Sequence, residues 1–175
     1  MSTSNQLYAA FGISQWDAKY LHQALFLSQW SKDPSKKVGC VIADVNNLPI
    51  GQGYNGFPKG VSDDEALLRD KVSKRFRMVH AEMNASIFST KSLEGSTFYV
   101  THHPCAACAG VMLQHQVGEV VVLKDEITGL GEYWTQSVEE ASSMFEEARV
   151  PVVVVDKTKF LAVFDTDGTP FNKKL

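Results

Sequence analysis

Ser137-Val-Glu-Glu-Ala-Ser-Ser-Met-Phe-Glu-Glu-Ala-Arg149, running straight into Val150-Pro-Val-Val-Val-Val155, is the stretch on which the fold turns. Val138, Ala141, Met144 and Phe145 recur at helical spacing, and the run that follows is β-branched and nearly continuous, so a helix feeds a strand. Glu119-Val-Val-Val-Leu123 upstream also reads as a strand. Two strands joined through a helix need a crossover, which predicts that these last two strands are parallel. Working back along the chain, residues 106–116 read as a helix with Gly118 as its C-cap. Residues 97–101 read as a strand and 80–90 as a helix. Residues 38–45 and 48–54 form two strands about an Asn46-Asn47 turn, an antiparallel hairpin. Ser62 with Glu65 fits a capping box opening a charged helix over 63–74. Residues 16–30 carry a wide apolar helical face that ends at Asp33-Pro34. Residues 160–171 read as an added hairpin turning at Asp167-Gly168. The order predicts an α/β domain: a mixed five-stranded sheet with helices on both faces, in three layers.

The chain has 175 residues, a single-domain length. The expected division is a polar tail over 1–14, a core domain over 15–156 and an extension over 157–175. With 44% apolar and 21% charged residues the composition is that of a globular protein, which excludes a disordered chain or a disulfide-stapled scaffold. The longest apolar run, 150–155, is far too short for a bilayer, and residues 1–14 contain no base, so neither a membrane span nor a secretory leader is read and a cytoplasmic location is expected. A formal net charge of −3 argues against polynucleotide as the main partner. It leaves a single nucleotide open, because two or three local cations suffice for one.

Chemistry concentrates at two helix starts. His80-Ala-Glu82 opens one helix; Pro104-Cys105-Ala-Ala-Cys108 opens the next, with one strand between. C-x-x-C by itself reads equally as a metal or a redox motif. One imidazole and two thiolates supply three zinc ligands and leave a fourth position for water. Glu82, two residues from His80, reaches such a water without ligating the metal. Two thiolates cancel the formal charge of zinc, and placement of the ligands at helix N-termini returns positive potential. A purely structural zinc would need a fourth ligand from His102 or His103 and would leave Glu82 without a task. Both motifs on consecutive helices therefore favour catalytic zinc over a redox or structural role. Cys40, in Val38-Gly-Cys-Val-Ile42, reads as a small buried hydrophobe, and His22 and His115 read as structural.

H-x-E followed by P-C-x-x-C is the pattern of zinc nucleobase deaminases. Over residues 16–155 the chain resembles the deoxycytidylate (dCMP) deaminase family of the cytidine deaminase superfamily. Ser31-Lys-Asp-Pro-Ser-Lys-Lys-Val-Gly-Cys-Val-Ile42 is similar to that family's entry into its first strand. Gly53-Tyr-Asn-Gly-Phe-Pro-Lys-Gly60 resembles its G-Y-N-G-x-P-x-G loop, and His80-Ala-Glu-Met-Asn-Ala85 its H-A-E-x-N-A. The resemblance implies a cytidine-deaminase-like fold, Zn2+ on His80, Cys105 and Cys108, and Glu82 as the proton carrier. The implied reaction is hydrolysis of dCMP to dUMP and ammonia. It implies substrate contacts from Asn55, Ala81, Thr101 and His103; Asn55 alone reads equally as a residue tolerating a left-handed turn before Gly56. It further implies dCTP or dTTP effectors near Tyr54, Gly56, Asp63 and Asp64, and a homo-oligomer, commonly a hexamer. Without the family, Asp63, Asp64 and Glu65 are simply acidic first-turn residues. Other cytosine nucleotides or nucleosides are the alternative substrates; a tRNA deaminase is disfavoured by the charge balance and the G-Y-N-G loop. The chain departs from the family at Trp30, where Arg is usual, at His102-His103, where an apolar pair is usual, and at Gly110, where Lys is usual. Lys59, Lys71, Lys74, Arg75 and Arg77 are the replacement cations, whose ordinary reading is a solvated face.

Overall fold

The computed structural model describes residues 8–9, 11–124 and 131–166. Helix α1 spans Gln15–Ser28. Strands β1, Gly39–Ala43, and β2, Pro49–Tyr54, follow as the expected hairpin. Next come α2, Glu65–Arg69, α3, Lys71–Arg77, and α4, Ala81–Ile87. Strand β3, Thr97–Val100, leads through α5, Ala106–Gln114, to β4, Glu119–Lys124. Helix α6, Glu132–Glu147, precedes β5, Val152–Asp156, and α7, Lys157–Thr166. The sheet order is β2-β1-β3-β4-β5. β1 is antiparallel to both β2 and β3, whereas β3, β4 and β5 run parallel. The mixed sheet and the parallel last pair are as read from the sequence.

Alternation along the strands divides the core into two layers. Cys40, Ile42, Phe98, Val100, Val120 and Val122 face α4, α5 and α6, against Ala81, Ala85, Met112, Ala141 and Phe145. Val41, Ala43, Tyr99, Val121, Leu123 and Val155 face α1 and α7, against Ala18, Leu21, Ala24 and Phe160. β1 is buried on both faces, which is why it reads as an unbroken apolar run rather than an alternating one.

Two glycines of β2 decide how close α4 comes. A Cβ on Gly53 would lie 2.5 Å from the Ala85 amide nitrogen and 2.6 Å from the Ala81 carbonyl oxygen; one on Gly51 would lie 2.6 Å from the Ala85 carbonyl oxygen. The helix that begins at His80 therefore rests on the strand backbone itself. Only residues without a side chain permit that approach.

Several local readings change. The charged helix over 63–74 is two short helices, because Asp70 breaks the first and caps the second by accepting from the Ser73 amide. The capping box of Ser62 and Glu65 does not form. Asp64 caps α2 through the Leu67 amide, and the Ser62 hydroxyl donates to Asp64 instead. Gly118 is not the left-handed cap of α5. Gln116 takes that conformation at φ 55, with Val117 N–H on Met112 O and Gln116 N–H on Leu113 O as in a Schellman turn. Gly118 serves close packing, since a Cβ there would stand 2.7 Å from the Gly95 carbonyl oxygen. In place of the hairpin over 160–171, residues 157–166 are the helix α7, which buries Phe160; the Asp167-Gly168 turn lies outside the described residues. Within the stretch read as a tail, Ile13 is buried and Phe11 packs edge-on to Phe160. Ser14 and Asp17 form a capping box that starts α1.

Gly53→Ala should lower stability by about 3 kcal/mol, because the inserted methyl meets backbone that cannot step aside; urea denaturation measures it. Burial pushes the His22 imidazole, stacked on Phe160, down to about 4. The unfolded chain takes up that proton near pH 6.5 and the folded chain does not, so stability falls as pH drops from about 6.5 to 4 and the loss levels off below. His22→Phe should remove roughly 2 kcal/mol of this acid sensitivity, allowing for the partial exposure of the ring. Urea midpoints at pH 7 and pH 4.5 compare the two proteins.

Candidate metal centre

His80 is the N-cap of α4 and Cys105 the N-cap of α5, and neither side chain caps its own helix. Both are free to turn toward one point. The His80 Nδ1 lies 3.3 Å from Cys105 Sγ and 3.3 Å from Cys108 Sγ. Zinc bonds of about 2.3 Å to sulfur and about 2.1 Å to nitrogen, at a tetrahedral angle, place such donors about 3.6 Å apart. The three donors are thus nearly in position, and their chemistry, borderline nitrogen with two soft sulfurs, fits zinc. They are the one group of three His, Cys, Asp or Glu donors suited to a metal among the described residues. They sit just beyond the carboxyl end of β3, where parallel α/β sheets place their ligands.

The electrostatics suit metal capture. The hydrogen bond from Cys108, aided by His80, pulls the Cys105 thiol down from its ordinary value, toward the anion that a metal binds. Cys108 is pushed up, first by its hydrogen bond to Cys105 and then by burial, and keeps its proton until a cation displaces it. His80 is raised by its hydrogen bond to Cys105. Glu82 lies inside this cluster, 5% exposed, and burial pushes its carboxyl above the usual range against the lowering pull of His80. A carboxyl so placed holds a proton more readily than one in water. Cys40 lies close enough to Glu82 for that charge to reinforce the effect of burial in raising its thiol. It is packed in the core, as its sequence context suggested.

The surroundings bring in residues that sequence reasoning missed. The Trp134 ring lies against the His80 ring, centroids 5.8 Å apart, and Tyr133 meets Trp134 edge-on at 5.5 Å. Both belong to the first turn of α6, which begins five residues earlier than its periodicity indicated. Ser137 accepts the Ala106 amide and so caps α5 from another helix. No local signal exposes a cap contributed from 31 residues away. Asp33, read as a helix stop, accepts from the Ser35 and Lys36 amides and from Lys74, in a pair with side chains 5% and 18% exposed. Asp-Pro-Ser was the available hint, since an Asp at that position favours an Asx turn.

Asn55 is buried and fully engaged. Its Oδ1 accepts the Val38 amide at 2.8 Å, its Nδ2 donates to the Lys36 carbonyl at 2.9 Å, and its own carbonyl accepts from Ser31. It is not among the left-handed residues, so that alternative does not apply. Ala81 is buried in the first turn of α4. Thr101 accepts the Gly39 amide and ties the end of β3 to the start of β1. His103 turns toward Ser142 of α6 and lines a cavity of about 300 Å³ with Phe145, Val150 and Val152, a lining that contains none of the three donors. Asn84 donates to the Tyr54 carbonyl, and Gly56 bridges to Val79, so the loop after β2 is bound to the start of α4. Asp63 pairs with Lys32 at the surface, and Asp64 caps α2.

A family model for the cytidine and deoxycytidylate deaminase zinc-binding region matches residues 14–124. The chain belongs to this deaminase family. An uncharacterized deaminase of Aliivibrio fischeri is 36% identical over 140 residues, covering 80% of the chain and 93% of the relative. A probable deoxycytidylate deaminase of Caenorhabditis elegans is 39% identical over 140 residues, covering 76% of the chain and 66% of the relative. The crystal structure of a cyanophage S-TIM5 dCMP deaminase superposes at a TM-score of 0.62 with 24% identity, over 79% of the chain and 96% of that protein. The deaminase therefore has the cytidine-deaminase-like fold, and it is a zinc-dependent hydrolase. No helix among the described residues is long and apolar enough to cross a membrane.

Cys108→Ser should reduce bound zinc from near one equivalent to a small fraction, measured by elemental analysis after dialysis against a weak chelator.

Proposed function

We propose that the deaminase hydrolyses dCMP to dUMP and ammonia. The observation that carries the chemistry is the buried Glu82 carboxyl beside a three-donor zinc site. Relatives in nematode and mouse bear the name deoxycytidylate deaminase, and the cyanophage enzyme is described in complex with dCMP and dUMP. Those names support the choice of base and sugar.

When bound by His80, Cys105 and Cys108, zinc lowers the pKa of a water so that a strong oxygen nucleophile exists near neutral pH. Glu82 receives the proton that this water gives up. As oxygen adds to C4 of the cytosine ring, Glu82 returns a proton to N3. Glu82 then takes the proton of the new C4 hydroxyl and passes it to the exocyclic amine, so that the C4=O bond forms as the C4–N bond breaks and ammonia leaves. One water enters and one ammonia leaves, with the ring released as uracil. The raised affinity of Glu82 for protons lets one group both accept and deliver. Ala81, one residue away, and the loop bound to α4 through Tyr54 and Gly56 adjoin the same centre. In this reading Asn55 and Thr101 brace the loop before β1 and the end of β3 for the nucleotide, and the protein works in the cytoplasm. Effector control by dCTP or dTTP near Tyr54, Gly56, Asp63 and Asp64, within a homo-oligomer, belongs to the same proposal; kinetics with added triphosphate test it.

Zinc-loaded protein should lower the ultraviolet absorbance of dCMP as uracil forms, faster than with dCTP or deoxycytidine. Turnover of none of the three would overturn the reading. Glu82→Gln should keep zinc and lose about a thousandfold in kcat.

A further inference from the structure

Helix α6 touches both halves of the metal centre from a third part of the chain. Ala141 and Phe145 bury one stripe of this helix in the core layer that also holds α4 and α5. Followed back by four residues and then by three, the same stripe carries Ser137 and Trp134. Ser137 Oγ accepts the Ala106 amide at 3.1 Å, and the Trp134 ring centroid lies 5.8 Å from that of His80. One contact is to the residue that follows Cys105, the other to His80 itself. Core packing fixes the roll of α6, so both groups are aimed by the same burial.

Each contact replaces something that metal ligation takes away. The side chain of an N-cap residue ordinarily accepts from the first-turn amides of its own helix. His80 and Cys105 stand at the two caps and do not, since both turn to a common point. At α5 the missing acceptor comes from Ser137, which takes the amide of the first helical residue. The peptide unit joining Cys105 to Ala106 is thereby anchored to a helix other than its own. At α4 the imidazole is backed by the half-buried Trp134 ring, which limits its rotation on that side. We propose that Ser137 and Trp134 are positioning residues for the zinc: Ser137 fixes Cys105 through the Ala106 amide, Trp134 fixes the His80 ring, and α6 thereby sets the affinity and geometry of the metal site. Groups that orient ligands from behind are typically worth about ten- to a hundredfold in metal affinity. The inference concerns the metal centre alone and stands whichever nucleotide the deaminase takes.

Two measurements on the full-length protein test it, neither of which needs turnover. One is the zinc dissociation constant by competition with a chromophoric chelator. The other is the thiolate-to-metal charge-transfer and d–d absorption of the Co2+-loaded protein, which reports ligand geometry. Ser137→Ala should weaken zinc by roughly tenfold and shift the cobalt bands, whereas Ser137→Thr, which keeps the hydroxyl, should stay near the parent. Trp134→Leu should behave as Ser137→Ala does, and Trp134→Phe, which keeps a ring, as the parent does. Val121→Ala, which opens the core on the opposite face of the sheet, should lower the urea midpoint and leave both metal readouts unchanged. Ser137→Ala with the parent zinc constant and cobalt bands overturns the role of Ser137; the same result for Trp134→Leu overturns that of Trp134. A loss in Ser137→Thr or in Val121→Ala as large as in Ser137→Ala reduces the effect to general loosening and overturns the proposal.

Discussion

The close seat of α4 on the backbone of β2 is the contact from which the rest of the site follows. Gly51 and Gly53 let the Ala81 and Ala85 peptide groups come to where a Cβ would otherwise stand. This sets the depth of the helix, and with it the positions of His80 at its cap and Glu82 in its first turn. A strand side chain at either glycine would lift the helix and carry the imidazole away from the sulfurs. The second half of the site is placed independently by the parallel β3-α5-β4 unit, which delivers Cys105 and Cys108 just past the end of β3. Two rigid units meeting at one sheet end bring His80 Nδ1 within 3.3 Å of both thiols.

Burial then assigns the roles. Three potential anions, Glu82, Cys105 and Cys108, share a small volume with a single imidazole, and they cannot all be charged without a metal. Cys105 ionises first because Cys108 and His80 donate to it. Glu82 and Cys108 are held toward their protonated forms. A divalent cation resolves the conflict by replacing protons on the ligands. Glu82, outside the three-donor group, stays buried beside it.

Around this centre, structure is built by long-range polar ties rather than by extra core. Asn55 and Asp33 connect the loop before β1 to the end of β2 and to α3. Ser137 connects α6 to the start of α5. Each satisfies backbone or charge that would otherwise be stranded in a half-buried setting. The first turn of α6 adds Tyr133 and Trp134 beside His80. The wall of the site therefore comes from a part of the chain far from both motifs.

The sequence alone determined the α/β class, the mixed sheet, the parallel last strands and the three donors with Glu82. Each of these depends on short-range information. Periodicity distinguishes helix from strand, a helical crossover enforces parallel strands, and two compact motifs carry the donor atoms at fixed spacing. Only the tertiary structure decided that Gln116 rather than Gly118 ends α5, that α2 and α3 are separate, that residues 157–166 are helical, and that Asn55 is consumed in bracing a loop. It also decided that His103 faces Ser142 and that Trp134, with Tyr133 behind it, stands beside His80. These outcomes depend on which surfaces meet. A cap supplied from another helix, or an amide claimed by a distant carbonyl, leaves no mark in local spacing, because its partner is chosen by packing of the whole chain.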